Sequence, residues 1–436
     1  DAFEAALPFR LTGAQQRAIR DVLRDMASGR PMNRLVQGDV GSGKTMIAAA
    51  AAFCAAKNGL QTAFLVPTEI LARQHFASLR ALMSCFSIET VLLTGSMPAA
   101  EKRRVKEAIA SGEAKLILGT HALLSGDVAF QSLGLVIADE QHRFGVGQRA
   151  ALAAKGRSPH LLVMSATPIP RTLALIAYGD LDISVVDELP PGRQTIDTFL
   201  VGERLRQRVH AFLRRQCAEG GQAYIVCPAI EEGELESLKS AEVWAQTLQS
   251  AVFPDLRVGL LHGRMKGAEK DAVMSAFARH ELDILVSTTV IEVGVDVPNA
   301  NVIVIENADR FGLSQLHQLR GRVGRGERKS YCILFTSSQN EETLRRLKAL
   351  ASTNDGFKIA EEDLKLRGPG DFFGSRQHGL PLFKAANLQL DMTVLSQAQR
   401  AAEAALHDPG WRTDPAFAPL RARIDVLFDS EPVALN

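Results

Sequence analysis

Cysteine is scarce in this chain and never paired. Cys54, Cys85, Cys217, Cys227 and Cys332 lie far apart among 436 residues, with no C-x-x-C. That spacing excludes a disulfide frame and a cysteine-based zinc site, and reads as small buried hydrophobes in a reducing compartment. Long apolar runs are also missing. The best candidate, Met46–Ala56, ends at Lys57 and is too short to span a bilayer. No signal-peptide pattern opens the chain, which begins with Asp1; the expectation is a processed chain or a piece of something longer. Charge of one sign is lacking too. The net charge is +1, so a nucleic-acid surface has to be a local basic stripe. What remains is ordinary globular composition, 46% hydrophobic and 23% charged, long enough for two or three domains.

The stretch Gln37-Gly38-Asp39-Val40-Gly41-Ser42-Gly43-Lys44-Thr45 reads G-x-x-x-x-G-K-T. An apolar strand, Arg34–Val36, runs into it, and an Ala-rich helix follows. That is the context a phosphate-binding loop requires. Gly38, Gly41 and Gly43, with Ser42, let backbone N–H groups turn toward a polyphosphate, and the helix adds its positive end. Lys44 reaches the outer phosphates and Thr45 offers its hydroxyl to Mg²⁺. The competing reading is a Gly-rich turn with a solvated lysine.

Residues 1–190 alternate strands and helices, which predicts an α/β fold with a parallel sheet covered on both faces. Thr12–Gln15 has capping-box spacing and opens a helix to about Ala27. Strands are expected at Thr62–Val66, Thr90–Leu93, Lys115–Leu118, Leu133–Ala138 and His160–Met164. A helix starts at Pro67-Thr68 and runs through His75, and Pro98 stands at the first position of another, ahead of Glu101–Ala110. Glu188–Arg193, with its two prolines and glycine, is a linker. The alternation then restarts, with strands at Gln222–Cys227, Arg257–Leu261, Asp283–Ser287, Asn301–Ile305 and Tyr331–Phe335; Asp255–Phe335 reads as a second sheet. Residues 341–366 read as helical, Arg367–Pro381 as a Gly/Pro-rich loop, 383–406 as helical again, and the tail after Asp408 as weakly structured. The expected domains are 1–190, 191–340 and 341–436.

Strand Leu133–Ala138 ends at Asp139-Glu140, two carboxylates facing the same crevice as the phosphate loop. Mg²⁺ needs hard oxygen ligands and keeps waters, so Asp139 can hold it through them, and Glu140 is placed to orient or deprotonate an attacking water. An acidic helix start is the bland alternative. Ser165–Pro168 is a strand-end turn whose hydroxyls could couple this site to the neighbouring lobe. Gln318–Arg325 places Arg322 and Arg325 three apart, on one helical face. Guanidinium groups suit phosphate oxygens, and glycines here argue against a merely solvated helix.

Together these residues resemble the superfamily 2 helicases, built from two tandem RecA-like parallel-sheet domains of the P-loop NTPase class. Gln37–Thr45, Asp139–Gly147, Ser165–Leu175, Tyr178–Arg193 and Thr288–Arg325 are similar to the RecG family, with the transcription-repair coupling factor Mfd as the near alternative. The linker wording and Asp355–Pro381 favour RecG. The resemblance implies an ATP- and Mg²⁺-dependent double-stranded DNA translocase acting on stalled forks and Holliday junctions. It places Phe9 and Gln15 at the adenine, although Gln15 also serves the capping box. It puts Gly294 and Asp296 across the cleft on the nucleotide, and makes Gln318, Arg322 and Arg325 the arginine-finger motif. Thr68, Thr120, His121, Arg264 and Thr288 then meet the nucleic-acid backbone. Arg367, Arg376 and Gln377 belong to a small helical C-terminal region, the TRG hairpin and loop, that moves duplex. RecG proteins carry an N-terminal wedge, and this chain starts about where the motor begins. The wedge is therefore expected to have been removed, or the chain to be a short relative. Duplex or branched DNA and single-stranded-DNA-binding protein are the implied partners, with a cytoplasmic, nucleoid-associated monomer expected and no membrane. An RNA helicase and a non-catalytic scaffold remain the other readings.

Overall fold

A computed structural model describes residues 2–139, 151–166, 181–190, 193–228, 234–288, 297–372 and 392–429. These fall into two compact units, one reaching Leu366 and the other beginning at Arg367.

The first unit holds two all-parallel sheets. The first sheet comprises β1 (Asn33–Gly38), β2 (Gln61–Leu65), β3 (Thr90–Leu93), β4 (Leu116–Gly119), β5 (Leu133–Ala138), β6 (His160–Ser165) and β7 (Asp182–Val186), in the order β3-β4-β2-β5-β6-β1-β7. Its strands are buried almost throughout, so they read as continuous apolar runs rather than alternating ones. Alternation survives in which core each residue feeds: Phe64 joins the core beneath the helix Lys44–Lys57, while Ala63 and Leu65 join the core on the opposite face. Nearly every alanine of that helix is buried, because small side chains let it lie close against the strands. Register fixes the centre of the sheet, with Leu35 beside both Val163 and Ile183.

The second sheet comprises β8 (Ile196–Val201), β9 (Gln222–Val226), β10 (Val258–Leu261), β11 (Ile284–Ser287), β12 (Ala300–Ile305) and β13 (Ser330–Phe335), ordered β10-β11-β9-β12-β13-β8. It too lies between two cores. Leu347 and Leu350 of the helix Glu341–Ser352, and Ile359 of the helix Gly356–Phe372, belong to one of them.

Several expectations need correction. The helix opened by Thr68 continues past His75 to Ser84. Pro98 is the N-cap, not the first helical residue, of Ala99–Ala110. The second sheet begins with β8 and β9, well before Asp255. The expected loop from Arg367 starts as helix: Gly356–Phe372 overruns Gly368-Pro369-Gly370, since propagating a formed helix costs far less than starting one. The tail is structured as far as Asp429. In the second unit, beside the helix Met392–His407, Asp414 Oδ1 accepts from the Ala416 N–H (2.8 Å), Pro415 follows that cap, and the helix Ala418–Asp429 comes next. An Asp-Pro start was the signal that could have revealed it.

Candidate nucleotide site and nucleic-acid face

The loop after β1 has the backbone its glycines imply. Gly41 (φ 76°) and Gly43 (φ 81°) sit in the left-handed region, where a side chain would be strained. Gly43 is the N-cap of Lys44–Lys57, and no side chain caps that helix, so its first-turn N–H groups face the loop, with Thr45 half-buried beside them. Lys44 is buried, its Nζ donating to the carbonyls of Gly38 (2.8 Å) and Asp39 (2.9 Å). Ser42 Oγ is buried and has no hydrogen-bond partner among the described residues. Amides, an ammonium and a spare hydroxyl in one concave turn are the donor set a polyphosphate needs, and the residues present fit it.

Gln15 serves two purposes. Its Oε1 accepts from the Thr12 N–H (2.9 Å) in a complete capping box, while Nε2 donates to the Ser42 carbonyl (2.8 Å). It is almost wholly buried, and Phe9 nearby in the chain stays 47% exposed. Asp139 follows β5 at the same end of the sheet and contacts His75 Nε2 through Oδ2 (3.3 Å). Glu140, Gly294 and Asp296 lie outside the described residues, as does Thr167.

The second sheet closes onto this loop. The helix Leu313–Arg320 brings His317 Nε2 to 2.6 Å from Asp39 Oδ1. Burial pushes the Asp39 carboxyl up, but the hydrogen bond from His317 and the charge of Arg193 oppose it, and the group is held below the usual carboxylate range. Arg193 Nη1 donates to the Val40 carbonyl. Gln318 is buried on the same helix. Arg325 Nε donates to the Gly321 carbonyl (3.3 Å). Arg322 is buried and lines a cleft of about 960 Å³ together with Thr68, Arg73, Lys270 and Arg279. That cleft joins the two sheets, so Arg322 faces the same space as Thr68, a residue expected at nucleic acid. Sequence reasoning did not single out His75, Arg193, His317 or Arg320 as site residues; they pair with partners distant in the chain, which no local pattern encodes.

The expected backbone-contacting residues stand at strand C-terminal ends, where open α/β sheets bind ligands. Thr68 Oγ1 accepts from the Leu71 N–H as an N-cap (3.5 Å). Thr120 follows β4 as the N-cap of the short 3₁₀ turn His121–Leu124, with His121 exposed. Arg264 is exposed after β10, and Thr288 is buried after β11, its N–H donating to the Leu261 carbonyl (3.2 Å). Arg367 falls in the helix Gly356–Phe372, while Arg376 and Gln377 lie outside the described residues. Among the described residues no group of three or more His, Cys, Asp or Glu is placed to hold a metal, and no helix is long and apolar enough to cross a membrane.

Known proteins match along the whole of this framework. The DEAD/DEAH box helicase model matches residues 12–176, and the helicase conserved C-terminal domain model matches 204–327. The model for ATP-dependent DNA helicase RecG, domain 3, C-terminal, matches 353–427. ATP-dependent DNA helicase RecG of Synechocystis sp. is 52% identical over 416 residues, covering 95% of this chain and 50% of that protein. The chain belongs to the RecG family. The Thermotoga maritima RecG is 53% identical over 399 residues, covering 92% of this chain and 51% of the relative. A solved structure of RecG bound to a three-way DNA junction superposes with a TM-score of 0.77 at 50% identity, covering 90% of this chain and 51% of that one. This RecG-family chain thus spans about half the length of these relatives.

Proposed function

We propose that this chain is the ATP-driven motor of a double-stranded DNA translocase that works on branched DNA, in fork regression and Holliday-junction migration. The supporting observation is the closure of the helix Leu313–Arg320 onto the phosphate loop through His317 and Asp39. A far wall carrying arginines thereby meets a near wall built for polyphosphate. The division of labour is two RecA-like lobes, 1–190 and 191–340, with 341–436 as the DNA-moving appendage.

ATP with Mg²⁺ supplies the phosphoryl group whose transfer to water drives the cycle. Lys44 releases the Gly38 and Asp39 carbonyls and turns to the outer phosphates. Thr45 and Asp139 would hold Mg²⁺, with His75 contacting the Asp139 carboxylate. Glu140 orients and deprotonates the water. Gln318, Arg322 and Arg325 stabilise the charge that builds on the transferred group, and Gly294 and Asp296 are assigned a nucleotide-contacting role. Gln15 and Phe9 frame the base, Gln15 already tied to the loop through Ser42. Closing and opening of the cleft is a two-state motion that contacts to the outer phosphate bias. Thr68, Thr120, His121, Arg264 and Thr288 grip the phosphate backbone, so binding is salt-dependent and indifferent to sequence. Arg367, Arg376 and Gln377 convert closure into duplex movement. A monomer in the cytoplasm, meeting single-stranded-DNA-binding protein at forks, completes the proposal.

One experiment separates this from an RNA helicase or a scaffold. ATP turnover is measured with no nucleic acid, duplex DNA, forked DNA and RNA. Stimulation by duplex and forked DNA is expected. Stimulation by RNA alone, or no turnover under any condition, overturns the reading.

A further inference from the structure

We infer that His317 is a positioning residue, a latch that seats the helix Leu313–Arg320 on the phosphate loop and so sets where Arg322 and Arg325 stand. The inference rests on the ATPase reading above. His317 is 4% exposed, and its ring is held on both sides. Arg320 Nη2 lies 3.0 Å from Nδ1. A guanidinium only donates, so Nδ1 accepts and the ring hydrogen is assigned to Nε2, which donates to Asp39 Oδ1 at 2.6 Å. Arg320 is itself fixed from behind: Nη1 donates to the carbonyls of Leu350 (2.7 Å) and Thr353 (2.8 Å). On the loop side Asp39 Oδ1 also accepts from the Val40 N–H (2.6 Å). An unbroken run of buried and partly buried hydrogen bonds therefore joins the end of the helix Glu341–Ser352 to the phosphate loop.

A second observation is independent of the first. Gly321 closes the helix at His317's end, and a Cβ placed there would lie 2.8 Å from Val40 Cβ. The backbone turn that leads into Arg322 rests directly on the loop. With the ring locked and the turn in contact, the helix has little freedom to slide. That matters because a misplacement of about 1 Å costs on the order of 100-fold in rate.

The test is a double-mutant cycle in the 436-residue chain: wild type, Asp39→Ala, His317→Ala and the pair, with His317→Gln as the conservative variant. DNA-stimulated kcat, equilibrium binding of a fluorescent ATP analogue and the thermal midpoint are read on each. Each single change should lower kcat about 10-fold or more while nucleotide affinity stays within about threefold. The double variant should fall no more than about threefold below the worse single, since both remove one contact. Glutamine, whose amide accepts from Arg320 and donates to Asp39, should recover most of the loss. Unchanged kcat in His317→Ala, losses that multiply, or no recovery in His317→Gln overturns the latch. If wild type hydrolyses no ATP, the ATPase reading fails instead. The same cycle in thermal midpoints then decides the latch, additive shifts overturning it and non-additive ones upholding it.

Discussion

Gln61 at the start of β2 and Gln222 at the start of β9 perform the same task. Gln61 Nε2 donates to the carbonyls of Ile109 and Ala114 (2.9 Å each), and Gln222 Nε2 to those of Phe277 and Leu282 (2.7 Å each). Each wholly buried amide ties off the end of a helix and the turn that follows it. Without β7, the strand orders also coincide, so β1 corresponds to β8 and β5 to β12. The sheets diverge where those strands end. After β1 and β5 stand Lys44, whose ammonium donates to the loop carbonyls of Gly38 and Asp39, and Asp139, which contacts His75. After β8 and β12 stand Arg206 and Glu306, bonded to each other at 2.8 and 2.9 Å. Glu203 takes two further bonds from Arg206, at 2.6 Å each, and the guanidinium stacks 4.2 Å from the Phe335 ring. Glu203 and then Glu306 raise the arginine's pKa, so its charge is permanently spent inside the protein. The comparison teaches that one topology carries a lysine held by backbone carbonyls of a glycine loop in one copy and an arginine bolted to two carboxylates in the other.

The strongest way to break the comparison is to remove both cations separately. Lys44→Ala should lower ATP turnover more than 100-fold while changing the unfolding midpoint little. Arg206→Ala should do the reverse: it strands Glu306 in a half-dry site, lowers stability by about 3 kcal/mol in denaturant unfolding, and leaves turnover per folded molecule intact. Equal effects of both changes on stability and turnover would erase the distinction.

Glu140→Gln sharpens the lobe 1 side. ATP binding should persist while turnover drops on the order of 100-fold or more, the scale of a lost general base. Wild-type hydrolysis in this variant would remove Glu140 from water activation. Gln377→Ala tests the role proposed for the C-terminal region: DNA-stimulated ATPase should be kept while displacement of a strand from branched DNA falls. A parallel loss of both would tie Gln377 directly to hydrolysis.

The smallest expected effect concerns acid. Asp39 titrates below 3.8 in the folded protein, so ionising it favours the fold. Its contribution is present above 3.8 and is lost as pH falls through the lower folded value. The stability gap between wild type and Asp39→Asn should therefore shrink as pH drops below 3.8, followed by thermal midpoints; a gap constant with pH would contradict it.

Much of the near wall was legible in the sequence because its signals are local. Gly-x-x-x-x-Gly-Lys-Thr, the strand before it and the alanines after it sit within one βα unit, and the observed helix Lys44–Lys57 differs from the expected one by a residue or two. Thr12–Gln15 declared its capping box for the same reason. β7 and β8 escaped notice: they flank a proline-rich linker and are edge strands, and Phe199 of β8 stays 49% exposed. The pairs that finish the site were not readable. His75 meets Asp139 and His317 meets Asp39 across 64 and 278 residues of chain, so only the folded sheets bring them together.

The central claim is that arginines on the far wall act on a phosphate held by the near wall. It is tested most directly by kcat and ATP affinity in Arg325→Ala. The expected result is a fall in kcat of roughly 100-fold or more with affinity within about threefold, as for an arginine that acts only in the transition state. A kcat equal to wild type would make Arg325 a structural residue and contradict the account.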